Sequence, residues 1–184
     1  MTTTLFETTS RVDRSAEISE CGSYRWWLRR SWRFWKDGQP VTGKGICCFV
    51  MLNPSTADAL RDDPTIRRCI GFARSWGYNA LCVRNLFAWR ATDPRELGKA
   101  QNVTGGHRGD MELLAACTAD MLVAAWGAGA PFGRDMDVLE LWGKHFPGVP
   151  IHCLGTTKHG HPKHPLYVKA DTQPVLFVPP AAAQ

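Results

Sequence analysis

Two short segments, far apart in the chain, hold the residue types from which chemistry can be built. Phe49 to Asp58 reads FVMLNPSTAD, and His159 to Tyr167 reads HGHPKHPLY. The first is an apolar run that stops at Asn53-Pro54 and continues into Ser55, Thr56 and Asp58. The second places His159, His161 and His164, with two His-Pro steps, in one irregular stretch. A fold that joins them would surround a cleft with an amide, hydroxyls, a carboxylate and imidazoles, a set suited to acid–base or hydrolytic chemistry. Pro54 keeps Asn53 out of helical conformation. The Asn53 amide is then free to position a water or a ligand carbonyl, or else to satisfy its own turn. Asp58 and the Asp62-Asp63 pair supply carboxylates, at least one of them suited to cap a helix. The histidines could ligate metal, act as acids or bases, or stand solvated in a loop. Their spacing lacks the Cys or Asp partners of a zinc site, so no metal and no other cofactor is expected. Neutral imidazole donating to a developing anion is the role that needs least.

These residues must be held by elements that the pattern makes legible. Gly45–Leu52 is a continuous apolar run, as in a strand covered on both faces. Asp63-Pro64 opens a helix, with Ile66, Cys69, Ile70, Ala73 and Trp76 at helical spacing and Gly77 at its end. Ala80–Phe87 is a second strand, and Asp93-Pro94 starts a short helix. A helix over Gly109–Ala119 presents Met111, Leu114 and Ala115. Met121–Trp126 is a third strand, and a helix over Asp135–Phe146 presents Met136, Leu139 and Trp142. Pro150–Leu154 is a fourth strand leading into the histidine loop, and Val175–Val178 adds an edge strand. This alternation predicts a three-layer α/β/α sandwich around a mostly parallel sheet. Ligands of such sheets bind beyond the carboxyl ends of the strands. The segments Asn53–Thr56, Asn85–Trp89, Trp126–Gly129 and the histidine loop should therefore share one edge. Trp126-Gly127 either lets backbone approach a ligand closely or is a simple strand-end turn.

Tyr24–Trp35, YRWWLRRSWRFW, interleaves Trp26, Trp27, Trp32 and Trp35 with Arg25, Arg29, Arg30 and Arg33. It reads as an N-terminal β-hairpin arm bending near Leu28–Ser31. Such an arm could grip phosphates and stack on bases, or bury its aromatics and leave its arginines solvated. Residues 1–20 read as a polar tail, 21–178 as one domain, and 179–184 as a second tail. The chain has 184 residues, 44% hydrophobic and 21% charged, which suits one globular domain. Its net charge of +5 permits a polyanionic partner without demanding one. Its seven cysteines form no CxxC pair and mostly sit in apolar segments, as reduced core thiols of a cytoplasmic protein would. No secretory signal is visible, and the longest apolar run is too short to span a bilayer. A cytoplasmic monomer is expected, with no membrane partner.

With these motifs in view, the chain resembles an uncharacterised bacterial and phage domain family marked by LNPSTAD, DDPTIRRC, NLFAWRATDP and LGTTKHGHPKHPLYV, over about residues 24–168. Strand–LNPS, VRNLFAWRATDPREL, AAWGAGA and HPKHPLY are in turn similar to four motifs of the uracil-DNA glycosylase superfamily, the Asn-Pro version pointing to its mismatch-specific branch. That resemblance implies the glycosylase fold and an enzyme that flips a nucleotide from DNA and hydrolyses its N-glycosidic bond. Asn53 would position the attacking water, with Asp58 available to activate it. Asn85 would read the base, with Ser55, Thr56, Trp126 and Gly127 around it and Phe87 or Trp89 stacking on it. His164 or His161 would stabilise the departing base, His164-Pro165-Leu166 being the better fit. Leu166 or Tyr167 would wedge into the duplex, and Arg25, Arg29, Arg30, Arg33, Lys158 and Lys163 would contact DNA. Asn53 stands where the most active branch has aspartate, so the substrate need not be uracil; a modified or damaged base, met in repair or in defence against phage, fits. The alternatives are a nucleoside or nucleotide N-glycosidase and a non-catalytic nucleic-acid-binding module.

Overall fold

The computed structural model describes residues 7–8, 12–128 and 130–179. Among these residues ten strands run in chain order: β1 Glu7–Thr8, β2 Asp13–Ile18, β3 Arg25–Ser31, β4 Phe34–Lys36, β5 Gln39–Val41, β6 Ile46–Met51, β7 Ala80–Asn85, β8 Met121–Ala124, β9 Ile151–Cys153 and β10 Val175–Leu176. Three α-helices join them: α1 Pro64–Ser75, α2 Gly106–Ala116 and α3 Arg134–His145. A seven-stranded sheet has the order β10-β9-β8-β6-β7-β3-β2, and β1, β4 and β5 form a small second sheet. The four central strands are parallel, while β3, β2 and β10 add antiparallel edges, so the sheet is mixed rather than mostly parallel.

Alternation along β6 assigns its two faces. Cys47, Phe49 and Met51 join Ile66, Cys69 and Phe72 of α1 in one apolar cluster. Cys48 and Val50 join Leu113 and Ala116 of α2 with Val138 and Trp142 of α3 in another. Helix α1 starts as its sequence dictates: the Asp63 carboxylate accepts from the Ile66 N–H at 2.8 Å, with Pro64 in the first turn. Helices α2 and α3 turn inward only part of the stripe that their apolar spacing predicts: Leu114, Leu139 and Trp142 pack into the core. Gly109 and Asp135 are buried, whereas Met111 and Met136 are exposed. Gly109 is required because a Cβ there would stand 1.9 Å from the Thr104 carbonyl oxygen.

The predicted N-terminal arm is corrected. Residues 25–31 form one continuous strand inside the main sheet, between β7 and β2, and Leu28–Ser31 is not a hairpin turn. Nor is the N-terminal stretch wholly a tail: Asp13–Ile18 is the edge strand β2, and residues 1–6 and 9–11 lie outside the described residues. Trp27 pairs with Glu17 but Arg25 pairs with Ile18, so Trp26 is an extra residue on β3. This bulge brings Arg25 onto the same face as Leu28 and Arg30. Both arginines are consequently interior, at 2% and 0% exposure. They cannot present themselves to DNA as the arm reading requires, whereas Arg29 and Arg33 remain exposed.

The buried arginines brace the segment between β6 and α1. Arg25 donates from Nη1 to the Ala57 carbonyl at 2.8 Å. Arg30 donates to the Asp62 carboxylate at 2.7 Å and to the carbonyls of Asp58 at 2.6 Å, Arg61 at 3.4 Å and Ser15 at 3.2 Å. The LNPSTAD loop is thus fixed from below by the strand that sequence patterning assigns to a nucleic-acid arm. Among the described residues no helix is long and apolar enough to cross a membrane.

Candidate functional site

Strands β6 and β8 are neighbours, but the helices that follow them lie on opposite faces: α1 follows β6, and α3 follows β8. Their loops must diverge, which opens a crevice at the carboxyl edge of the sheet. A cleft of about 370 Å³ occupies this position. Its walls come from Leu52, Asn53 and Ser55 after β6, Trp126, Gly127 and Ala128 after β8, and His164 and Tyr167 of the histidine loop. Ala91, Thr92 and Pro94 close one side, and Arg25, Met51, Asp63 and Thr65 complete it. The two motifs that stand apart in sequence therefore share one cavity.

Asn53 is oriented without ambiguity. Its Nδ2 donates to the carbonyls of Ala91 at 2.7 Å and Pro54 at 3.2 Å, both acceptors, so the amide nitrogen must face them. The Ala91 N–H returns a bond to the Pro54 carbonyl at 2.9 Å, locking the two loops together. The Asn53 Oδ1 accepts no hydrogen bond among the described residues and is left as an acceptor. Asn53 thus satisfies its turn and keeps one functional atom free.

His164 presents the complementary group. Its Nδ1 accepts from the Leu166 N–H at 3.4 Å in the turn Pro165–Tyr167, which places the proton of a neutral ring on Nε2. Burial holds its pKa below the ordinary histidine value of 6.5, against the nearby Asp63 carboxylate, which favours the charged form. Arg68 of α1 fixes this loop by donating to the carbonyls of Pro165, at 3.3 Å, and Val168. Gly127 passes beside it at φ +88°, where an added Cβ would stand 3.7 Å from the His164 Cβ. The depressed pKa has a defined sign. The unfolded chain binds the proton more readily, so the contribution of neutral His164 to stability is complete above about pH 6.5. It is lost as the pH falls through the lower folded value. An NMR titration of the His164 ring should give a midpoint below 6.5; a midpoint above it contradicts the assignment of a neutral donor.

The other histidines do not reach the cleft. Thr156 and Pro162 bridge, and the Thr157 N–H bonds the His161 carbonyl at 2.8 Å, folding the segment into a small hairpin. His159 and Lys158 stand exposed at its tip, and His161 turns toward α3, its Nδ1 3.9 Å from the Asp135 carboxylate. Among the described residues no three His, Cys, Asp or Glu side chains converge as metal ligands would. Asp58 is engaged elsewhere: its Oδ1 accepts from the N–H groups of Leu60 at 2.7 Å and Arg61 at 2.9 Å, which lowers its pKa. It does not line the cleft, whereas Asp63 does.

Asn85 is buried one contact behind the cavity. Its Oδ1 accepts from Arg25 Nη2 at 3.2 Å, and its Nδ2 has no partner among the described residues. Arg25 Nε and Trp126 Nε1 are likewise buried without acceptors. Burial lowers the Arg25 pKa to about 10, with Asp63 opposing the shift. Phe87 and Trp89 are not wall residues: Phe87 is buried edge-on to Phe132, and Trp89 packs edge-on to Tyr24. The aromatic groups at the cleft are Trp126 in the wall and Tyr167 at the rim, the latter 81% exposed beside exposed Leu166. Thr56 and Lys163 are exposed outside the cleft. Sequence reasoning reached Asp63 and the Ala91–Pro94 segment only as helix-capping features. The DP step after each strand was the available signal, since both caps fall at the carboxyl edge.

A family model described as a protein of unknown function, DUF1643, matches residues 25–166. No curated protein and no solved structure matches the chain.

Proposed function

The chain belongs to the DUF1643 family, and we propose that it is a DNA glycosylase-like hydrolase acting on the N-glycosidic bond of a flipped, modified or damaged base. The reading rests on one juxtaposition: an asparagine whose Oδ1 is left free as an acceptor, and a neutral histidine, in the same cleft. Asn53 Oδ1 accepts a hydrogen bond from a water and aims its lone pair at the sugar carbon as the bond to the base breaks. His164 Nε2–H donates to the base as it departs with negative charge, and needs no proton from solvent to do so. Arg25, in the cleft wall with its Nε–H unpartnered, reads a base carbonyl, and Asn85 holds Arg25 from behind through its Oδ1. Trp126 and Tyr167 supply the aromatic surface that Phe87 and Trp89 do not. Leu166, exposed on a loop clamped by Arg68, enters the stack that the base vacates.

In this reading the two helical faces around the sheet form the three-layer sandwich of the uracil-DNA glycosylase superfamily. The protein works as a cytoplasmic monomer without a cofactor. Phosphate contacts fall to the exposed Arg29, Arg33, Lys158 and Lys163 in place of Arg25 and Arg30. The test compares duplex DNA carrying altered bases with the matching free nucleosides. Free base together with alkali-labile strands from DNA alone supports the proposal. Release from nucleosides alone identifies a small-molecule N-glycosidase. Salt-dependent DNA binding with no product identifies a binding module.

A further inference from the structure

A second site lies on the α2 face of the sheet, away from the cleft. Cys48 of β6 and Cys82 of β7 are register partners on adjacent parallel strands, and Arg29 of β3 is the register partner of Cys82 on its other side. Arg29, Cys82 and Cys48 therefore form one row across three strands, and Arg84, two residues beyond Cys82, shares their face. All four line a recess of about 170 Å³. Cys82 is half-buried and Cys48 buried. Neighbouring strands run about 4.8 Å apart, inside the roughly 4.4–6.8 Å Cα separation that a disulfide spans. Two thiols held in register beside two guanidinium groups are unexplained by any role in the cleft.

We propose that Cys82 is a site of oxidation by hydroperoxides and that Cys48 resolves it to a Cys48–Cys82 disulfide. The Cys82 thiolate attacks the peroxide, forming an S–O bond as the O–O bond breaks. The sulfur loses two electrons, and the peroxide leaves as alcohol or water after taking a proton. Cys48 then attacks the resulting sulfenic acid; the S–S bond forms and hydroxide departs, taking the Cys48 proton to leave as water. The surroundings favour this order. The hydrogen bond from Cys48, with Arg84 and Arg29, lowers the Cys82 pKa to about 7 against burial. The same hydrogen bond and burial raise the Cys48 pKa. The charged groups around the pair are Arg29, Arg84 and Glu112 of α2, which is ion-paired with Arg84.

Cys21 is exposed, and hydrogen bonds from Ser19 and Ser23 lower its pKa to about 7, so it is the competing thiol. The experiment uses full-length Cys21→Ser protein, reduced and then treated with limiting hydrogen peroxide. Alkylation and peptide mapping follow, with fragmentation to separate Cys48 from Cys47. The expected result is loss of alkylation at Cys48 and Cys82 together, a linked peptide lighter by two hydrogen atoms, and full alkylation of Cys69 and Cys117. In Cys48→Ser the product should stop at a Cys82 sulfenic acid that dimedone traps. Cys82 remaining alkylatable while other thiols oxidise overturns the proposal. So does a Cys82 sulfenic acid that persists with Cys48 present; neither outcome depends on the second variant folding.

Discussion

Replacing His164 by alanine should lower the rate of base release by roughly 10²–10³-fold, the usual effect of removing one donor to a developing anion. The fold should survive. Among the described residues the hydrogen bond lost is the long one from the Leu166 N–H, a change of about 1 kcal/mol. Asn53→Ala should abolish release to a similar degree, but for a second reason as well. It removes the two bonds from Nδ2 that tie the Ala91 and Pro54 carbonyls together, so part of its effect is misplacement of the loop. Asn53→Asp separates these contributions. This change would set a carboxylate against two carbonyl oxygens. The variant should therefore lose stability, by about 1–3 kcal/mol, and gain no activity. Steady-state release assays with thermal melts decide it: an Asn53→Asp enzyme faster than the parent would show that the clamp does not govern this position.

Arg30→Met carries the largest expected effect on stability. It leaves the Asp58 and Ser15 carbonyls without this donor, and the Asp62 carboxylate to Arg14, 3.5 Å away, around a fully buried position. Removing one partner of a buried ion pair costs about 3–5 kcal/mol. For a domain of this size that corresponds to a fall in Tm of roughly 10 °C. The exposed neighbour Arg29, changed in the same way, should move stability by no more than about 0.5 kcal/mol. If Arg30 served instead as a phosphate contact, Arg30→Met would weaken DNA binding and lower its salt dependence at unchanged Tm. Differential scanning calorimetry beside a binding isotherm distinguishes the two.

The different legibility of the elements has physical causes. Strand β6 and helix α1 announced themselves because local and tertiary preferences agree: a run buried on both faces, then a cap, a proline and helical spacing. Strand β3 was misread because its inward positions include arginine, and no pattern of residue types distinguishes an arginine that braces carbonyls from one that faces water. The bulge at Trp26, which decides the face of Arg25, depends on pairing with β2 and has no local signature. The inner faces of α2 and α3 were legible in part: Leu114, Leu139 and Trp142 pack inward as their spacing predicts, but Gly109 and Asp135 take buried positions while Met111 and Met136 face out. The shared edge was legible, since it follows from strand–helix alternation alone. The choice of His164 over His161 was supported by motif order but explained only by the hairpin between Thr156 and Pro162. Asp58 and Asp63 exchanged places for a related reason. Both are turn-forming aspartates, and only the fold determines which of the two lines the cleft.

The most direct measurement is release of free base from heavily modified phage DNAs and uracil-containing DNA in water labelled with heavy oxygen, read by mass spectrometry. The expected products are a free base lacking the label and an abasic sugar with the heavy oxygen on its anomeric carbon, both lost in Asn53→Ala and His164→Ala. Release that persists undiminished in both variants, or label that appears in the base, would contradict this expectation.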